Sequence, residues 1–125
     1  MKRVLVVDDD AAVRRIITHH LVKDGYLVLE ADNGVEALKI VRSTPVDLIV
    51  LDIRMPLMDG YELANRLQAD PETVDIPLVV SSVVADEAQQ QIVRAKTFLV
   101  RPFGVGELVG AVRAALHDGQ PGQAV

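Results

Sequence analysis

The sequence predicts an α/β domain: a doubly wound, five-stranded parallel sheet with helices on both faces. Three observations predict it. Short apolar runs alternate with stretches of helical periodicity along nearly the whole chain. The central runs, "RVLVV" and "LIVL", are too uniformly apolar for a sheet with one wet face, so they read as parallel strands covered by helices on both sides. Right-handed crossovers between such strands leave few topologies, of which the doubly wound sheet is the simplest.

Each element follows from local chemistry. Arg3 to Val7 is a β-branched run that ends in aspartates, the pattern of a buried strand. From Ala11 to Lys23, Val13, Ile16, Ile17 and Leu21 recur at helical spacing; Asp10 is placed to cap the start and Gly25 to stop the end. Tyr26 to Ala31 is the second strand. Val35, Leu38 and Val41 mark a second helix that ends before Pro45. Leu48 to Leu51 is the third strand, followed by Asp52 and the loop "IRMPLMDG". Tyr61 to Gln68 is helical, "DPETVDIP" is a polar connection, and Leu78 to Val80 is a strand leading into Ser81 and Ser82. Asp86 to Arg94 reads as a short helix. Phe98 to Val100 is the last strand, closed by Pro102, which cannot donate to a ladder. Glu107 to Leu116 is the last helix, and the glycines of "FGVGEL" start it rather than form a phosphate-binding fingerprint.

A length of 125 residues fits one domain, expected over 1–118, with 119–125 as a flexible tail or the start of a linker. Hydrophobic residues make up 50% of the chain, enough for a core, but no apolar stretch reaches the length of a membrane span. The apolar run before "DDD" is too short for an export signal, so a cytoplasmic location is expected. With no cysteine there is no disulfide, zinc–thiolate site or thiol chemistry. A net charge of −5 and 3% aromatic residues give neither the basic footprint nor the stacking platforms of a nucleic-acid-binding domain.

In a parallel sheet all strands end at one edge. Asp8, Asp9 and Asp10 follow the first strand, Asp52 the third, Ser81 and Ser82 the fourth, and Arg101 the last. A single aspartate past a strand is usually a helix cap or a solvated turn. Four segments delivering carboxylates, hydroxyls and one cation to the same rim are harder to assign to chance. Carboxylates so close repel one another, and a divalent cation relieves the repulsion. An oxygen-only donor set suits Mg2+. His19, His20 and His117 fall in helices or near the tail and are expected to be surface or packing residues. A metal beside a carboxylate, a hydroxyl and a cation is the equipment of phosphoryl transfer, with a carboxylate as nucleophile.

The segments "VLVVDDD", "DLIVLDIRMPLMDG", "IPLVVSS" and "FLVRPF" resemble the successive motifs of response-regulator receiver domains of two-component phosphorelays. The resemblance runs from about Arg3 to Leu116, and its D-x-x-M-P-x-M-D-G portion is highly specific. It implies a flavodoxin-like sheet of order 2-1-3-4-5. It further implies that Asp52 is the phosphoacceptor, that Asp9 binds Mg2+ directly, that Asp8 acts on the metal mainly through water, and that the Arg54 carbonyl is a further ligand. Pro56 and Gly60 shape the loop. Ser82 contacts the phosphoryl group, Phe98 is the switch aromatic, and the donor is a sensor histidine kinase or phosphotransfer protein. Small phosphodonors can substitute. An output protein or domain is implied but not identified, no membrane partner is expected, and the domain is a signalling module rather than an enzyme.

Three features depart from the family. Arg101 stands where the family has lysine. Arginine is longer, planar and forked, so partial disengagement of its side chain toward solvent is expected. Val83 replaces a small residue and is expected to narrow the way to Asp52. The interval from Ser82 to Arg101 is shorter than usual, so the fourth helix or its exit is rebuilt. Two rival readings remain. In one, the chain is a degenerate receiver that binds partners without phosphorylation. In the other, "VVDDDAAV" opens a haloacid-dehalogenase-like phosphohydrolase, with Asp8 as nucleophile and Asp10 as acid/base; the late strand, however, ends in Arg-Pro-Phe rather than in an acidic pair.

Overall fold

A computed structural model describes residues 1–53, 55, 57–82 and 95–118. The expected helix from Asp86 to Arg94, the residues Arg54, Pro56 and Val83, and the tail 119–125 lie outside the described residues, as do the side chains of Ser82, Ala95, Lys96 and Asp118.

The five strands are β1 (Arg3–Val7), β2 (Leu27–Ala31), β3 (Leu48–Asp52), β4 (Leu78–Ser82) and β5 (Ala95–Val100). They form one parallel sheet in the order β2-β1-β3-β4-β5. The described helices are α1 (Ala11–Lys23), α2 (Gly34–Ser43), α3 (Gly60–Ala69) and a C-terminal helix (Val105–Asp118).

Strand alternation divides the core into two. Leu5, Val7, Ile49, Leu51, Leu78 and Val80 pack under Ala37 and Leu38 of α2 and Leu63, Ala64 and Leu67 of α3. Val4, Val6, Leu48, Val50 and Val79 face Ile17 and Leu21 of α1 and Leu108, Ala111, Val112 and Ala115 of the C-terminal helix. Both faces of the central strands are thus dry, which is why their sequences show no polar alternation.

The caps follow the sequence. Asp10 accepts from the amides of Ala12 at 3.0 Å and Val13 at 3.3 Å. Asn33 caps α2 and Asp59 caps α3, each accepting from the amide three residues on at 2.9 Å. Gly25, at a φ of 98°, turns the chain out of α1 in a region that favours glycine.

Several boundaries differ from expectation, most by one or two residues. β5 begins at Ala95 rather than Phe98. Ala and Lys are weak strand formers, but pairing with β4 overrides propensity, and a register irregularity at Leu78 and Val79 absorbs the join. Asp52, Ser81 and Ser82 are also the last residues of their strands rather than the first residues beyond them.

Candidate functional site

The rim is built by alternation carried to the strand ends. Val6, Val50 and Val79 share the face under α1 and the C-terminal helix. Two residues on from each stand Asp8, Asp52 and Ser81, so a period of two aims all three the same way. Asp52 pairs with Ser81 across β3 and β4, and the Ile53 amide donates to the Ser81 carbonyl at 3.2 Å.

Carboxylate oxygens of Asp8, Asp9 and Asp52 lie within 4.8 Å of one another. Asp8 is 1% exposed and Asp52 8%, whereas Asp9 is open to solvent. Both Asp8 oxygens are engaged. Oδ1 accepts from the Asp10 amide at 2.9 Å, and Oδ2 accepts from Arg101 Nη2. The Arg101 Nε–H donates to Ser81 Oγ at 2.6 Å, and Nη2 stands 3.7 Å from Asp52 Oδ1.

This corrects the expectation that Arg101 partly turns to solvent. Its side chain is 23% exposed, and its fork is held by one hydroxyl and one buried carboxylate. The reason is desolvation. A carboxylate as buried as Asp8 needs a cation and hydrogen-bond donors, and the guanidinium supplies both. Arg101 also lines an apolar cavity of ≈500 Å3 with Val13, Ile16, Ile17, Pro102 and Phe103.

Asp10 does not join the cluster. Its side chain is committed to the start of α1, which removes it as an acid/base partner to Asp8. Phe98 is half-buried and packs against the core on the α2 and α3 side. His19, His20 and His117 are exposed or half-buried on helices and stand outside the carboxylate cluster. The expected roles of the Arg54 carbonyl, of the Ser82 side chain and of Val83 fall outside the described residues.

Two residues of the site had no role in the sequence reading. Ser81 was placed on the rim only as a hydroxyl, although its two-residue offset from Val79 was a legible signal. Arg14 gave none: its Nη1 donates to the Asp8 carbonyl at 2.7 Å and its Nε to Glu30 Oε1 at 2.9 Å, fixing the end of β1 against β2.

The residues fit a Mg2+ ion. Three carboxylates and one guanidinium have formal charges that sum to −2 at the rim, a balance that one divalent cation matches. The donors are all oxygen, as this hard cation requires. Asp8, with each oxygen already accepting one bond, keeps lone pairs for a water.

The model of the response regulator receiver domain family matches residues 4–113. The chain is 38% identical over 124 residues to the phosphate regulon transcriptional regulatory protein PhoB of Pseudomonas aeruginosa, covering 97% of this chain and 54% of that protein. It is 37% identical to the probable transcriptional regulator ycf27 of Porphyra purpurea, over 93% of this chain and 48% of that one. The chain thus spans about half the length of these curated relatives. Among solved structures, the response regulator TrrA of Thermotoga maritima, in complex with Mg2+ and BeF, superposes with a TM-score of 0.84 at 32% identity, covering 93% of this chain and 100% of that one. The Vibrio cholerae chemotaxis protein CheY4 superposes with a TM-score of 0.86 at 30% identity, over 93% and 99%.

Proposed function

The chain belongs to the response-regulator receiver family, the signalling domain of two-component systems, and within that family we propose that it accepts a phosphoryl group on Asp52 from a sensor histidine kinase or phosphotransfer protein. The observation that carries the reading is the convergence of Asp8, Asp9, Asp52 and Arg101 at one sheet edge. An Asp52 carboxylate oxygen forms the bond to phosphorus. The phosphorus–nitrogen bond of the donor phosphohistidine breaks, and its electron pair returns to the imidazole. Asp9 and Asp52, with Asp8 through water and the Arg54 carbonyl, are the groups to hold Mg2+, which when bound neutralises the phosphoryl oxygens. Arg101 holds Asp8 and reaches toward Asp52, while Ser82 and Phe98 convert the new charge into a change at the signalling surface.

The family's established use of this acidic cluster for Mg2+, together with the Mg2+ and BeF bound by the TrrA structure, supports the metal assignment. No helix among the described residues is long and apolar enough to cross a membrane; a cytoplasmic location and action through a separate output protein or domain complete the proposal.

The test is intact mass after incubation with acetyl phosphate and Mg2+. The wild type gains one phosphoryl mass and Asp52→Asn gains none. Equal labelling of both proteins would sink the assignment. Failure of the wild type to label at all would favour a receiver that binds partners without phosphorylation.

A further inference from the structure

We propose that Ser81 is a positioning residue that makes an arginine usable where this family places a lysine. The proposal rests on the reading of Asp52 as phosphoacceptor. An arginine at a strand end is too long to present a single charge at the height of a lysine ammonium, and its donors spread over a plane. In this chain the plane is fixed at its inner corner. The Nε–H donates to Ser81 Oγ at 2.6 Å, and Ser81 is 1% exposed, so water offers no competing acceptor at that point. With Nε held, only the Nη groups face the carboxylates. Nη2 meets Asp8 Oδ2 and stands 3.7 Å from Asp52 Oδ1. The guanidinium is therefore parked beside the acceptor, within one short movement of a phosphoryl oxygen.

A lysine has no donor partway along its stem. The Ser81 hydroxyl thus serves an arginine and would be idle toward a lysine, so the two residues form a unit. Deleting the hydroxyl leaves a guanidinium N–H without its acceptor, and frees the fork to rotate away from Asp52.

A four-protein cycle tests the unit: wild type, Ser81→Ala, Arg101→Lys and the double variant, each titrated with beryllofluoride and Mg2+ and followed by amide chemical shifts. Ser81→Ala is expected to weaken beryllofluoride binding about fivefold in the arginine background and less than about twofold in the lysine background. Equal loss in both backgrounds overturns the proposal, since Ser81 would then act on the strand and not on the arginine. A second measurement needs neither metal nor phosphoryl mimic: the nitrogen-edited signal of the Arg101 Nε–H. It should exchange slowly with water in the wild type and fast in Ser81→Ala. Free-arginine exchange in the wild type overturns the proposal even if Ser81→Ala does not fold. A wild type with a protected Nε–H that ignores beryllofluoride refutes the phosphoacceptor reading instead, and with it any use for the parked arginine.

Discussion

At Gly60 the start of α3 lies directly against the end of β3, and adding one methyl group there should damage both. The Gly60 amide donates to the Ile53 carbonyl at 2.7 Å, drawing the start of α3 onto the end of β3. A Cβ on Gly60 would lie 2.5 Å from the Asp52 carbonyl oxygen and 2.6 Å from Ile53 Cα. Both are backbone atoms, so no side-chain rotation relieves the overlap. Either the strand end or the helix start must move by roughly 1 Å to restore ordinary contact distances. Overpacking of this kind costs about 1–3 kcal/mol, and with backbone on both sides the upper half of that range applies. For a domain of this size each kcal/mol lowers the melting temperature by about 3–5 °C. Gly60→Ala should therefore melt about 6–15 °C below the wild type, and acetyl phosphate labelling should slow because Asp52 is displaced. Gly110→Ala is the matched control. Gly110 lies exposed within the C-terminal helix, nothing stands within 4 Å of its Cβ, and alanine there should stabilise by up to about 1 kcal/mol. Thermal unfolding followed by circular dichroism measures both. A Gly60→Ala melt within about 2 °C of the wild type would refute the argument from close approach.

Other consequences can be checked independently. Asp9→Ala should reduce the amide-shift response to Mg2+ at least about tenfold in affinity, since Asp9 is the solvent-facing member of the carboxylate set; an unchanged titration would move the metal elsewhere. Asp24 accepts from Arg113 Nε at 2.9 Å and from Nη2, and this hydrogen bonding holds its carboxyl below the ordinary value of 3.8. A lowered native value means that the unfolded chain binds the proton more tightly, so the contribution is complete above 3.8 and fades as pH falls through the lowered value. Asp24→Asn should accordingly flatten the dependence of melting temperature on pH in that acid window and leave the slope between about pH 5 and 8 unchanged; a parallel shift at every pH would show that the pair acts by packing alone.

The sheet was legible because both of its faces are buried. Strands that are apolar at every position admit few arrangements, and the helices between them carry their own caps in Asp10, Asn33 and Asp59. The rim residues were legible as strand-end residues for the same reason. Two uses of one residue type were separable too, because Asp10 immediately precedes the periodic residues of α1 and so reads as its cap. Asp9 and Asp10 are adjacent aspartates in the same strand-to-helix turn; one faces the cluster and the other caps α1. The start of β5 was missed because Ala95 and Lys96 have little strand preference of their own and take the conformation from their neighbour.

Arg101 shows why a departure from a family pattern has to be weighed with its surroundings. Taken alone, arginine for lysine trades a compact charge for a long fork, and a side chain turned toward solvent follows. That inference compared two side chains against a fixed site, and the site is not fixed. Ser81 supplies an acceptor at the height of Nε, where a lysine has none to satisfy. Asp8, 1% exposed, imposes a large penalty on any arrangement that leaves its charge unpaired. Solvation of the guanidinium therefore competes with two inward partners instead of one. A fork that fits poorly against one carboxylate is well used when its inner corner meets a hydroxyl and its tip meets an acid. The same reasoning couples the two residues in physical terms, because the Ser81 hydroxyl accepts from the Nε–H that only an arginine brings there. Read together as "S" two residues beyond Val79 and "R" at the end of "FLV", they specify a site whose cation is held at the carboxylates by a hydroxyl behind it.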